Sequence, residues 1–198
     1  VQDDAPYTYA GANGKSVNNY DRRYRGFTTL REAITDSINI VTVKTLAQAG
    51  VSLGWQYVQE YGFTTVDSRD MNEALALGGI TQGVSNLELT AAYAAIANQG
   101  TYIKPKFYTK ILDHDGNVLI DNTTPESHTV IKDSTAYLLT SAMEDVVNSG
   151  TGTACQLPNM PVAGKTGTTT SNKDLWFCGF TPYYTCAVWG LSLIHISE

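Results

Sequence analysis

Lys165, Thr166, Gly167 and Thr168 place a cation, two hydroxyls and a residue without a side chain in consecutive positions. Along a strand edge that set suits holding a carboxylate and a developing oxyanion, because ammonium and hydroxyl groups donate to anionic oxygens and glycine lets a ligand approach the backbone. The chemistry this invites is acyl transfer on an anionic substrate. Strict alternation would send Lys165 and Gly167 to one face and Thr166 and Thr168 to the other, so such a site must use the strand edge.

Ser37 and Asn39 form a second candidate pair. In a turn or extended segment, residues two apart point the same way while Ile38 points back into the core. In one continuous helix they would stand about 200° apart. The same Ser-x-Asn could also be a simple helix-end cap. His114 and His128 read as solvated side chains, and Asp113, Asp115 and Asp121 as solubilising charge around a hairpin. Tyr7, Tyr9, Tyr20 and Tyr24 read as packing a loop onto the core, with a glycan or peptide groove as the alternative.

The elements that must position these residues are visible as patterns. Residues 1–26 are rich in Tyr, Asn, Gly and Asp without a period, and read as an irregular surface segment. Thr29-Leu30-Arg31-Glu32 is a capping box that opens a helix reaching Asp36 or Ser37. A second helix after Asn39, with Val43, Leu46 and Ala47 on one face, should stop at Gly50 with a left-handed cap. Ser37-Ile38-Asn39 therefore lies at a helix-to-helix junction. Ser52 is expected to cap a short helix to Gly62, and Ser85-Asn86-Leu87-Glu88 to open another ending by Gly100.

Alternation from Tyr102 to Leu112 and from Val118 to Ile120 flanks the Asp115-Gly116 turn signal. A helix spans about 134–147, followed by strands Val162 to Thr169, Leu175 to Phe180 and Tyr184 to Trp189. Helices followed by an antiparallel sheet make an α+β fold rather than repeated βαβ units.

Composition narrows the function classes. The 198 residues, 42% hydrophobic and 16% charged, can bury a sizeable core. A net charge of -6 with the 13 Lys and Arg scattered argues against a nucleic-acid partner. No stretch approaches the ~18 apolar residues of a membrane span, and Val1-Gln2-Asp3-Asp4 resembles neither an initiator nor a signal peptide. Any anchor or targeting signal is expected outside this chain. Cys155, Cys178 and Cys186 fit no metal-ligand spacing and read as free thiols, although Cys178 and Cys186 flank a hairpin turn and could come close.

Several blocks occur in an order that resembles the transpeptidase domain of class A penicillin-binding proteins. They are Asn19-Tyr20-Asp21 with Tyr24-Arg25-Gly26, the run Thr29 to Asn39, and Leu77-Gly78-Gly79 with Gly83 to Leu89 and Ala97-Asn98-Gln99-Gly100. Gly150-Thr151-Gly152-Thr153, the Lys-Thr-Gly strand and Trp176 to Pro182 follow. The resemblance implies a β-lactamase-like fold, an antiparallel sheet flanked by helices plus a helical subdomain, incomplete at both ends. Residues 1–190 would form a partial transpeptidase domain: segment 1–26, a helical part 27–100, a hairpin insertion 101–132, and a helix with the Lys-Thr-Gly and following strands over 133–190.

By the same resemblance Ser37 would relay a proton toward the leaving amine, Asn39 would bond the stem-peptide backbone, and Lys165 would supply positive potential. Thr166, Gly167 and Thr168 would bind the terminal carboxylate of a D-Ala-D-Ala stem or a β-lactam, with the Thr168 N–H as an oxyanion donor. No metal or organic cofactor is implied. The parent would cross-link peptidoglycan at the extracytoplasmic face of the bacterial plasma membrane. It would carry an N-terminal membrane helix and a glycosyltransferase domain outside this chain.

The family's Ser-x-x-Lys nucleophile motif does not occur: the residues three before each lysine are Ala12, Val41, Thr101, Ile103, Phe107, Thr129, Val162 and Thr170. That motif normally lies several tens of residues before Ser-x-Asn, so it is expected upstream, and this chain alone should form no acyl-enzyme. The tail 191–198 resembles sequencing-adapter read-through and is read as non-native, which removes His195 as a candidate. Three rival readings are a non-catalytic β-lactam sensor or structural relative, a serine β-lactamase and a nucleotide-binding loop. The Asn19-Tyr20-Asp21 and Gly78-Gly79 blocks favour a synthase over the lactamase. Gly164-Lys165-Thr166 matches the end of Gly-x-x-x-x-Gly-Lys-Thr, but the first glycine position holds Asn159 and Pro161 intrudes.

Overall fold

The computed structural model describes residues 1–10, 14–169 and 174–191. At the N-terminus Gln2–Asp4 (β1) pairs antiparallel with Gly26–Thr28 (β4), and Tyr7–Thr8 (β2) with Ser16–Val17 (β3). This corrects the expectation of an irregular segment before Thr29. The strands are two or three residues long, too short to show a period, and they are held by partners distant in sequence and by the buried Asp4 and Asn19. Val17 joins Ile40 and Val43 in a core cluster against which Tyr7 and Tyr9 pack. Tyr20 and Tyr24 stay exposed.

Leu30–Thr35 (α1) opens on the expected capping box: the Thr29 hydroxyl accepts the Glu32 N–H at 3.1 Å and the Glu32 carboxylate accepts the Thr29 N–H at 2.8 Å. Asn39–Ala49 (α2) buries Ile40, Val41 and Val43 completely, while Leu46 and Ala47 are only half-buried. Gly50 has φ 103° and ψ 120°, a positive φ but not the closed left-handed cap expected. Val51–Glu60 (α3) begins at once, so Gly50 must swing the chain outward into a new helix, and Ser52 falls inside its first turn instead of capping it. Asn86–Ala97 (α4) opens on the reciprocal Ser85 and Glu88 bonds expected of it.

Thr101–Ile103 (β5) does not run on to Leu112; it pairs with Ser127–Thr129 (β8). Lys110–Leu112 (β6) and Val118–Asp121 (β7) make the hairpin around Asp115-Gly116, where Gly116 takes φ 84°. Asp113 is part of this turn rather than a mere solubilising charge, since its carboxylate accepts the Asp115 and Asn117 N–H groups at 2.9 and 2.8 Å. His128 is not free in solvent either. Its ring leans on Tyr102 with centroids 5.3 Å apart, and Nε2 lies 2.8 Å from the Glu60 carbonyl oxygen.

The last third carries Asp133–Asn148 (α5), Ala163–Thr168 (β9), Asp174–Phe180 (β10) and Thr185–Leu191 (β11). The three strands form an antiparallel sheet in the order β11-β10-β9, so among the described residues β9 is an edge. The helices lie on this sheet: Met143 from α5 meets Ala163 and Phe180, with Ile34, Tyr93, Ile96 and Leu139 around them. Cys178 stands opposite Ala187 and Gly179 opposite Cys186, so the two thiols project to opposite faces and do not pair. Burial pushes the Cys178 thiol up to about 12. Of the tail, only Leu191, at the end of β11, is among the described residues; His195 lies outside them.

Candidate active site

Ser37 is presented by the way α1 ends. Asp36 is the C-cap, the Ser37 N–H donates to the Ile34 carbonyl at 3.3 Å, and the Ile38 N–H reaches back to the Ala33 carbonyl at 2.9 Å. This pair of bonds is a Schellman closure, completed by Ile38 packing on Ala33 and Val41. The position that Ser37 occupies is usually glycine, because the chain there turns left-handed; Ser37 has φ 56°. With Ile38 only 1% exposed as the anchor, the hydroxyl is directed away from the core.

Lys165 meets it from β9. Its Nζ donates to Ser37 Oγ at 2.8 Å and to the Thr166 carbonyl at 3.0 Å, with Thr166 Oγ1 at 3.5 Å. Removal from water pulls the ammonium down to about 8. The Lys165 ammonium and the Thr166 hydroxyl thus come within reach of each other despite strand alternation, which is possible because both act at the free edge of β9. Gly167 is half-buried beside them and Thr168 is exposed at the strand end, on the face it shares with Thr166. Asn39 opens α2; its amide donates to the Asn18 carbonyl at 2.8 Å, and among the described residues Oδ1 and the second amide hydrogen have no other side-chain hydrogen bond and can serve a ligand.

Thr151 is a member of the site that motif reading missed. Its hydroxyl lies 2.7 Å from that of Thr166, which fixes the Thr166 rotor. The Gly150-Thr151-Gly152-Thr153 block explains the placement. Gly150 packs so closely on the Thr35 carbonyl that a β-carbon there would collide with it, and the Thr151 N–H donates to that carbonyl at 3.3 Å. Glycine beside a hydroxyl was the available signal. Replacing Thr151 by valine keeps the shape and removes the bond, and should weaken capture of a carboxylate about fivefold, about 1 kcal/mol. Unchanged carboxylate-ligand affinity in calorimetry would remove Thr151 from the site.

The arrangement gathers a cation, four hydroxyls and an amide at and beside one strand edge, a set that can neutralise a carboxylate and pass a proton through Ser37. A phosphate-wrapping loop is excluded, since Gly164, Lys165 and Thr166 lie inside an extended strand rather than at a helix start. Among the described residues no cluster of three or more His, Cys, Asp and Glu side chains could hold a metal ion. A separate pocket of about 310 Å³ between α4, α5 and the β10–β11 turn includes none of the site residues.

Comparison with known proteins gives a consistent picture. The family model described as the penicillin binding protein transpeptidase domain matches residues 1–195. Penicillin-binding protein 1A of Clostridium acetobutylicum is 40% identical over 183 residues, which cover 90% of this chain and 22% of that protein. The chain thus spans about a fifth of the length of the curated relatives it matches. Among solved structures, penicillin-binding protein 1A from Haemophilus influenzae superposes with a TM-score of 0.81 at 25% identity, over 96% of this chain and 34% of that one. PonA1 from Mycobacterium tuberculosis, solved in complex with penicillin V, does so with a TM-score of 0.72 at 25% identity, over 94% of this chain and 53% of that one.

Proposed function

Because the chain belongs to the penicillin-binding protein transpeptidase family, we propose that it supplies two walls of a serine D,D-transpeptidase cleft in a longer bacterial protein. The observation that carries this reading is the Lys165 Nζ to Ser37 Oγ hydrogen bond at 2.8 Å, which joins elements 128 residues apart in sequence. The first wall is the Ser37-Ile38-Asn39 junction and the second is the edge of β9. Residues 1–190 act as one partial domain, with 101–132 as its hairpin insertion.

The substrate is a peptidoglycan stem ending in D-Ala-D-Ala, or a β-lactam in its place. Thr166 and Thr168 hold the terminal carboxylate, with Thr151 orienting Thr166. The backbone at Thr168 faces the developing oxyanion, and Gly167 leaves room for the ligand. Asn39 takes a peptide group of the stem through Oδ1. Ser37 passes its hydroxyl proton to the leaving amine and is stabilised in doing so by the Lys165 ammonium. The nucleophile and its lysine base come from a Ser-x-x-Lys segment outside these 198 residues. The parent protein works on the outer side of the plasma membrane, held by a membrane helix and joined to a glycosyltransferase domain outside this chain.

Incubation with fluorescent penicillin tests the division of labour. The 198-residue chain is expected to take no covalent label, while a polypeptide that also carries its Ser-x-x-Lys segment labels stoichiometrically. Covalent labelling of the chain by itself would place the nucleophile inside it and overturn the assignment. Release of D-alanine from a stem-peptide donor by the longer protein separates a transpeptidase from a β-lactam sensor.

A further inference from the structure

Helix α2 carries Asn39 and follows Ser37, yet it has no cap of its own. Its N-cap residue is Ile38, which has no side-chain acceptor, and Ser37 stands one position too early in a left-handed turn. The missing acceptor comes from elsewhere in the chain. Asn19, only 3% exposed, accepts the Ile40 N–H on Oδ1 at 3.2 Å. Its Nδ2 donates to both oxygens of Asp4, at 2.8 and 3.0 Å, and to the Arg23 carbonyl at 2.8 Å. Asp4 is fully buried and is held in turn by the Arg25 N–H at 3.0 Å, with the Arg25 guanidinium at 3.8 Å. The neighbouring Asn18 carbonyl takes the Asn39 side chain. Two consecutive residues thus grip both the backbone and the side chain of the turn that presents the cleft groups.

We propose that Asn19, locked by the buried Asp4, is a positioning residue that caps α2 from a distance and so fixes Ser37 against Lys165 and Asn39 toward the ligand. This rests on the cleft reading above. The cap has a functional meaning: because Asn19 satisfies the helix, the Ser37 hydroxyl is not drawn into capping and stays available to Lys165. A reversal of the pair rebuilds part of this network: an aspartate at 19 can accept from Ile40 while an asparagine at 4 donates to it and accepts from Arg25, but the Arg23 carbonyl loses its donor.

The test uses side-chain NMR titration of Lys165 and amide exchange of Ile40 in the 198-residue chain. In Asn19→Asp two carboxylates face each other, the turn loosens and water reaches Lys165. Its midpoint is expected to rise by about one unit or more from its value near 8, and Ile40 exchange to accelerate at least about tenfold. The Asp4→Asn/Asn19→Asp double variant should restore both in part, since it removes the facing carboxylates but not the lost bond to the Arg23 carbonyl. Asp70→Asn is the control for a merely structural loss, since Asp70 is equally buried and accepts the Thr81 N–H and hydroxyl, remote from the cleft. It should lower stability without moving Lys165.

A folded Asn19→Asp variant with Lys165 and Ile40 unchanged overturns the proposal, as does an Asp70→Asn variant that shifts Lys165 equally. If Asn19→Asp does not fold, Asn19→Ser and the double variant decide: a folded Asn19→Ser chain with Lys165 and Ile40 unchanged, or a double variant no more stable than Asn19→Asp, overturns the proposal. A wild-type polypeptide that carries both this chain and its Ser-x-x-Lys segment, yet takes no covalent penicillin label, sinks the cleft reading itself, which tells that failure apart from failure of the clamp. In a polypeptide that also carries the nucleophile, Asn19→Asp should slow the acylation step about tenfold while penicillin binding changes little.

Discussion

Lys165→Ala, placed in a polypeptide that holds this chain with its Ser-x-x-Lys segment, is expected to slow penicillin acylation by about two to three orders of magnitude. Nζ is held at 2.8 Å from Ser37 Oγ in a half-buried position, where a charge acts through protein rather than through water. The role assigned to Lys165 needs its protonated form. With the group at about 8, acylation should therefore fall as pH rises through that value, and Lys165→Arg should carry the plateau to higher pH because guanidinium stays charged.

Folding responds in the opposite sense. Between about 8 and the ordinary 10.5 the unfolded chain binds a proton at Lys165 that the folded chain has released. Stability accordingly rises with pH across that window, and below it the fold carries the cost of a poorly hydrated ammonium. Stopped-flow acylation and denaturant unfolding over the same pH series check both slopes. Unchanged acylation in Lys165→Ala, or a pH limb that survives in Lys165→Arg, would remove Lys165 from the mechanism.

Ser37→Gly and Ser37→Ala should be equally defective in acyl transfer, yet differ in stability by about 1 kcal/mol in favour of glycine. Both lose the hydroxyl and its bond to Lys165, so the comparison isolates the β-carbon at φ 56°. For a chain of this size that difference corresponds to about 2–4 °C in Tm. Equal Tm values would show that the turn relaxes and that Ser37 is not held in a strained conformation. A Schellman closure prefers glycine at this position, and a serine there marks a hydroxyl placed where backbone preference alone would not put it.

The parts of the fold legible in the sequence are those governed by local rules. Thr29 with Glu32, Ser85 with Glu88 and Asp115-Gly116 each place their own boundary within a few residues, and strand-forming residues between polar or proline-containing turns located β9, β10 and β11. Pairings across long separations left no such trace. Nothing in Thr101–Ile103 names Ser127–Thr129 as its partner, and three-residue β1 has no period of its own to match to β4. At the site, Lys165, Thr166 and the Ser37 junction were readable from residue type and spacing. The left-handed Ser37 was not, since a serine at the end of a helix reads first as a cap for the next one. Asn19 was visible only as part of a block, because its task is to satisfy an N–H 21 residues away.

The separation of 128 positions between Ser37 and Lys165 also orders events in time. Thr29 to Ala49 can form its capped helix, Schellman turn and following helix from contacts within about twenty residues, whereas β9 must close a loop of more than a hundred before it reaches them. During synthesis the Ser-x-Asn turn leaves the ribosome well ahead of the lysine that completes it. Arg31, which donates to the Ser141 carbonyl at 3.1 Å, ties the early half to α5 just before that strand arrives. If the cleft binds as proposed, the time course with which ligand binding appears on refolding follows this long-range docking, and a refolding assay that monitors β-lactam capture is expected to report the arrival of β9 rather than the formation of the helices.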